Sequence, residues 1–308
     1  MTKLACVFPG QGSQSVGMLN TLAEHAFSVQ ETFAEASEAL NYDLWKLVQE
    51  DDGTQLNQTH ITQPALLTAS VAAWRVLQAE KNLQVDYLAG HSLGEYSALT
   101  CAGVLNLSDA VTLVQARGEF MQQAVPAGVG AMYAIIGLDD AKIMQICQEV
   151  SEETAQVVSA VNFNSPGQVV IAGHAEAAEK AGLLCKEAGA KRALPLAVSV
   201  PSHCALMKPA AEKLATLLED VSFNTPNISV INNVDVSIET DAGLIKDALL
   251  RQLYMPVRWT ESVLALSDLG VDKMIEVGPG KVLSGLNKRI NKSLSLANFS
   301  QPSDFENI

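Results

Sequence analysis

Ser92 lies between two glycines in Gly90-His91-Ser92-Leu93-Gly94, a Gly-x-Ser-x-Gly spacing. The mostly apolar Val85-Asp86-Tyr87-Leu88-Ala89 precedes it, and Glu95-Tyr96-Ser97-Ala98-Leu99 reads as the start of a helix. Strand, tight turn and helix in that order lift a serine hydroxyl clear of the backbone as a nucleophile. The turn needs glycine on both sides because a Cβ there would meet neighbouring backbone. The helix end behind the serine offers unpaired N–H groups and a partial positive charge to an oxyanion.

Such a serine requires a base. Of the five histidines, His25 and His60 sit among polar residues and His174 stands at a helix start, where capping is the expected role. His91 adjoins Ser92, and neighbours on a tight turn point apart, so its expected role is to shape the turn. His203, in Pro201-Ser202-His203, follows Ser92 in the chain order of α/β hydrolases. Cys204 is not its partner, since adjacency in sequence does not make side chains face one another. The group that orients the histidine stays open: Asp235 by hydrolase analogy, or a carbonyl that fixes the tautomer equally well. Arg117, in Leu113-Val114-Gln115-Ala116-Arg117-Gly118, interrupts an apolar helix. It is a surface residue or a guanidinium turned inward to hold an acyl carboxylate bidentately.

The elements that must position these residues alternate. Residues 4–8 read as a buried strand, and Pro9-Gly10-Gln11-Gly12-Ser13-Gln14 as a loop opening a helix near Val16. This loop fails as a dinucleotide fingerprint, with Ser15 at the third glycine position and no acidic residue ending a second strand. Its backbone is a candidate second oxyanion donor. Helical patterning covers 27–40 and 44–49, then a long apolar helix from Ala65 to about Ala79, with Thr62 as cap and Pro64 in the first turn. Another helix spans 108–124. Residues 129–197 carry the order β-α-β-β-α-β, a ferredoxin-like unit inserted into the chain. Strand–helix alternation then resumes, and 302–308 reads as loose. The fold class is α/β: a parallel-sheet core formed by residues 1–128 and 198–308, with the inserted subdomain at 129–197.

Composition limits the function. The net charge of −14 argues against a nucleic-acid binder. No stretch approaches the roughly 20 apolar residues of a membrane span. The five scattered cysteines fit reduced thiols of a cytoplasmic protein, with no metal-binding spacing.

Together the motifs resemble the acyltransferase-domain family of fatty-acid and polyketide synthases, which includes the malonyl-CoA:acyl carrier protein transacylases of bacterial type II fatty-acid synthesis. The resemblance rests on Phe8-Pro9-Gly10-Gln11-Gly12-Ser13-Gln14, Gln63-Pro64-Ala65, Gly90-His91-Ser92-Leu93-Gly94-Glu95, Arg117-Gly118, Asn162-Phe163-Asn164-Ser165-Pro166-Gly167-Gln168, Pro201-Ser202-His203 and Glu276-Val277-Gly278-Pro279-Gly280. It implies that the α/β core is hydrolase-like, with Ser92 as the acylated nucleophile, His203 as base, the amides of Gln11 and Leu93 as oxyanion donors and Arg117 as partner of the malonyl carboxylate. It places Gln252 at the site, where a carbonyl orients the histidine, and so demotes Asp235. It implies ping-pong transfer from malonyl-CoA to the thiol of holo-acyl carrier protein, with no metal or redox cofactor, by a monomer. Lys191, Arg192, Lys208, Lys281, Lys288 and Arg289 are the cations expected to meet the acidic carrier.

Overall fold

The computed structural model describes residues 3–198 and 200–308. Residues 1, 2 and 199 of the expected core lie outside them. The chain opens with β1 (Lys3–Phe8), α1 (Asn20–His25), α2 (Ser28–Leu40), α3 (Leu44–Glu50) and α4 (Thr59–Lys81). Then β2 (Tyr87–Gly90) leads through Ser92 into α5 (Leu93–Cys101) and α6 (Leu107–Ala124). The next group is β3 (Gly130–Ile136), α7 (Asp140–Thr154), β4 (Val158–Ser165), β5 (Gln168–His174), α8 (Ala175–Glu187) and β6 (Arg192–Pro195). The last is α9 (Lys208–Glu219), β7 (Ser229–Ile231), α10 (Ala242–Tyr254), α11 (Trp259–Asp268), β8 (Val271–Val277), α12 (Val282–Ile290) and β9 (Ser295–Phe299).

A five-stranded parallel sheet in the order β7-β2-β1-β8-β9 forms the centre. Strand periodicity sorts β1 between two cores. Cys6 and Phe8 face the larger one, with Phe33, Leu66 and Val114. Ala5 and Val7 face the other, around Trp259 and Val263. Because Phe8 lies beside Gly90 in the register, the loop after β1 and the turn after β2 leave the sheet together. The chain crosses to β8 on the far side of β1, so the carboxyl edge here is a switch point, where open α/β sheets bind ligands.

The second sheet is antiparallel, in the order β4-β5-β3-β6. Its face is covered by α7 and α8 through Ile135, Ile143, Val150, Ala177 and Ala181. This is the ferredoxin-like arrangement. The outer edge of β4 is not left open. Phe163 donates to the Val257 carbonyl at 3.0 Å, and Val257 donates to Val161 at 2.8 Å. Those bonds seat the second sheet against the segment ahead of α11.

Several expectations fail locally. The loop after β1 continues to Leu19 before a helix forms, so no helix opens near Val16. Helix α4 starts at Thr59, six residues ahead of Ala65, and Thr62 is not its cap. Instead the Thr62 hydroxyl donates to the carbonyls of Leu56 and Gln58, at 2.6 and 3.1 Å. Pro64 lies inside the helix, where its missing N–H removes one bond near the free end. Residues 302–307 form a 3-10 turn held by Asp304, whose carboxylate accepts from the amides of Ser300 and Gln301. Phe305 packs on Phe299 with ring centroids 4.6 Å apart, so this terminus is not loose. Helix α11 and strand β9 are elements that the sequence pattern does not single out.

Candidate active site

The two glycines are required by contact rather than by dihedral angle. A Cβ on Gly90 would stand 1.8 Å from the Gly94 carbonyl carbon, and one on Gly94 would stand 2.1 Å from the Phe8 carbonyl oxygen. The turn between them forces Ser92 to φ 52°, ψ −106°, a conformation that costs about 1–3 kcal/mol. Asn233, after β7, offsets that strain. Its Oδ1 accepts from the Ser92 N–H at 2.7 Å, and its Nδ2 donates to the Gly90 carbonyl at 2.7 Å. With the Ser92 amide occupied, Leu93 opens α5, and first-turn amides have no acceptor within the helix.

The Ser92 Oγ lies 2.8 Å from the His203 Nε2. On the other side of the ring, Nδ1 lies 2.6 Å from the backbone carbonyl of Gln252. A carbonyl only accepts, so Nδ1 carries the proton and Nε2 is left bare toward the hydroxyl. Asp235 does not approach this histidine. It forms a bidentate pair with Arg251, at 2.8 and 2.6 Å. Burial and the nearby Arg117 charge lower the His203 pKa to about 3, so the imidazole is neutral across the physiological range.

Arg117 is 2% exposed, which removes the surface alternative. The guanidinium donates to the Gln63 Oε1 at 2.8 Å and to the Gln252 Oε1 at 3.0 Å, and its Nη2 stands 3.4 Å from the Ser92 Oγ. Tyr96 presents its ring 5.4 Å from the guanidinium carbon. All these partners are neutral, and burial lowers the pKa of Arg117. The site thus holds a desolvated cation beside a poised hydroxyl. Gly118 follows because α6 crosses α4 closely: a Cβ there would meet the His60 Cα at 2.6 Å.

These groups open onto one cleft of about 220 Å³ between the two sheets, lined by Gln11, Leu93, Arg117, Asn162 and His203 among others. Gln252 stands behind it, fully buried. His91 points away from Ser92, its Nε2 2.8 Å from the Asn164 Oδ1, and ties the turn to the second sheet. His174 makes no side-chain cap; its Nδ1 accepts from the Val157 N–H at 2.9 Å. Sequence reasoning gave no role to Gln63, Glu95 or Asn233. The available signal was polarity in apolar surroundings: Gln63 within the long run of α4, and Glu95 just ahead of Tyr96-Ser97-Ala98-Leu99. Among the described residues no cluster of histidine, cysteine or carboxylate side chains is arranged to hold a metal ion. No helix among them is long and apolar enough to cross a membrane.

Residues 5–298 match the acyl transferase domain family. The chain belongs to that family. Among acyl transferases of known name, the malonyl CoA-acyl carrier protein transacylase of Salmonella typhimurium is 63% identical over 302 residues, covering 98% of this chain and 97% of that protein. A crystal structure of an acyl carrier protein S-malonyltransferase from Vibrio cholerae matches with a TM-score of 0.96 at 63% identity, covering 99% of both chains. A structure of a type II PKS acyl-carrier protein in complex with its malonyl-transacylase matches with a TM-score of 0.97 at 58% identity, covering 99% of this chain and 98% of that one.

Proposed function

We propose that this acyl transferase moves a malonyl group from malonyl-CoA to the phosphopantetheine thiol of acyl carrier protein, through a malonyl ester of Ser92. The observation that carries the reading is a buried guanidinium beside the nucleophile whose direct hydrogen-bond partners are all neutral. A hydrolase acting on neutral acyl chains has no use for that charge. A dicarboxylic acyl group does, because its free carboxylate supplies the missing partner bidentately.

The steps follow from the groups present. The neutral His203 Nε2 takes the Ser92 proton as the Oγ attacks the thioester carbonyl carbon. The oxyanion forms near the N-terminus of α5, where the Leu93 amide, with Gln11 across the cleft, donates to it. The tetrahedral centre collapses, the carbon–sulfur bond breaks, and the CoA sulfur leaves with the proton from His203. The carrier thiol then enters, gives its proton to His203, and attacks the ester carbonyl. Ser92 leaves and recovers its proton. No metal or redox group is needed for this sequence.

The high identity to named malonyl transacylases over nearly the whole chain supports the substrate pair. Exposed Lys191, Arg192, Lys208, Lys281, Lys288 and Arg289 supply cations for an acidic carrier. The same reading places the protein in the cytoplasm, in fatty-acid synthesis, as a monomer. The test is incubation with malonyl-CoA with and without holo-acyl carrier protein. Malonyl carrier accumulates when the carrier is present. Free malonate released at one rate in both arms overturns the reading in favour of a hydrolase.

A further inference from the structure

Glu95 stands three residues after Ser92, in the first turn of α5, and is 2% exposed. Its Oε2 accepts from the Gln252 Nε2 at 2.9 Å and from the Asn233 backbone N–H at 2.9 Å. Gln252 in turn spans the site. Its Nε2 also donates to the Ser92 carbonyl at 3.0 Å, and its Oε1 accepts from Arg117 at 3.0 Å.

A side-chain amide has two ends of nearly equal shape, so its partners decide which way it faces. An ionised carboxylate only accepts, and it admits only the NH₂ end. A guanidinium only donates, and it admits only the oxygen. Turning the Gln252 amide over would set oxygen against oxygen at Glu95 and donor against donor at Arg117. The amide is therefore an aligned dipole between a buried anion and a buried cation. Glu95 supports the guanidinium through one neutral group and never touches it. Direct contact would occupy the donors that an acyl carboxylate needs.

We propose that Glu95 is a positioning residue for acyl-group selection: its carboxylate fixes the orientation of the Gln252 amide, and that amide holds the Arg117 guanidinium toward the acyl carboxylate. The inference rests on the reading of Arg117 as the group that pairs with malonyl. It adds a role for the ionisation of a residue that takes no part in bond making.

The charged groups around Glu95 are Arg117 from α6, Asp235 from the loop after β7, and Glu239 across a small cavity that Glu95 and Asn232 also line. Burial raises the Glu95 pKa to about 7, opposed by the Gln252 and Asn233 hydrogen bonds and by the Arg117 charge. Lowering the pH through that value gives the carboxyl an O–H donor, and its preference for one amide orientation weakens. Malonyl retains its charge there, because an ordinary carboxyl titrates near 4.

The test compares malonyl and acetyl transfer, each as kcat/KM from the CoA thioester to holo-acyl carrier protein. The wild type and Glu95→Gln are measured from about pH 5.5 to about 8.5, with thermal melts of both. Acetyl has no carboxylate, so the malonyl-to-acetyl ratio isolates the clamp. In the wild type the ratio should fall about tenfold as pH drops through about 7, the worth of one charge-assisted hydrogen bond. Glu95→Gln should show the lower ratio at every pH. A folded Glu95→Gln with the wild-type ratio and profile overturns the role of Glu95 while leaving the malonyl reading intact. If the variant does not fold, the wild-type profile decides, and a flat ratio overturns the role. A wild type that transfers acetyl and not malonyl overturns the malonyl reading and this role together.

Discussion

The Arg117 guanidinium stands 3.4 Å from the Ser92 hydroxyl, and it donates to the side-chain oxygens of Gln63 and Gln252. Cation and nucleophile are therefore fixed relative to one another before any substrate arrives. That spacing restricts which acyl group reacts, because a carboxylate bound at the arginine sets where the thioester carbonyl lies. Arg117→Ala should lower kcat/KM for malonyl transfer roughly a hundredfold, from about 3 kcal/mol of lost charge-assisted bonding. Acetyl transfer should fall much less. Steady-state assays with the two CoA thioesters check this, and equal losses would count against the clamp.

The same proximity links substrate charge to the base. Arg117 helps hold the His203 pKa at about 3, far below the value for free histidine. A carboxylate bound at Arg117 cancels part of that positive field, so the His203 pKa should rise. A higher pKa means a stronger base, present only when a dicarboxylic acyl group is seated. Titration of the His203 ring by NMR, with and without malonate, measures the effect. An upward shift with malonate and none with acetate is expected; the same titration curve in all three samples would refute the coupling.

Much of this site is legible in the sequence because its parts are local. The Gly-x-Ser-x-Gly turn, its strand and its helix are contiguous, and the clashes that demand Gly90 and Gly94 are the ones the pattern implies. The βαββαβ order of the second sheet is legible for the same reason. What escapes is set by long-range packing. Asn233 lies more than a hundred residues from Ser92, and nothing near it in sequence announces that it braces the turn. The histidine's orienting group is a backbone carbonyl, which carries no residue signature. Helix α4 begins early because Thr62 bonds back to Leu56 and Gln58 from inside, a contact that a cap-and-proline rule misreads.

Gly90→Ala places a methyl 1.8 Å from backbone that cannot withdraw. It should destabilise the fold by about 3 kcal/mol or more and abolish transfer. Gly285, in α12, has nothing within 4 Å of an added Cβ. Gly285→Ala should instead stabilise by about 0.5–1 kcal/mol with activity unchanged. Chemical denaturation of the pair tests whether clash, rather than glycine content as such, explains the turn.

The central claim is that Ser92 holds the malonyl group until a carrier thiol removes it. The most direct measurement is a single-turnover chase: load the protein with radiolabelled malonyl-CoA, remove the CoA, then add buffer alone or holo-acyl carrier protein. The label should sit on Ser92, persist in buffer, move to the carrier within the mixing time, and be absent from Ser92→Ala. Label that never reaches Ser92, or that leaves as free malonate equally fast without the carrier, would contradict the account.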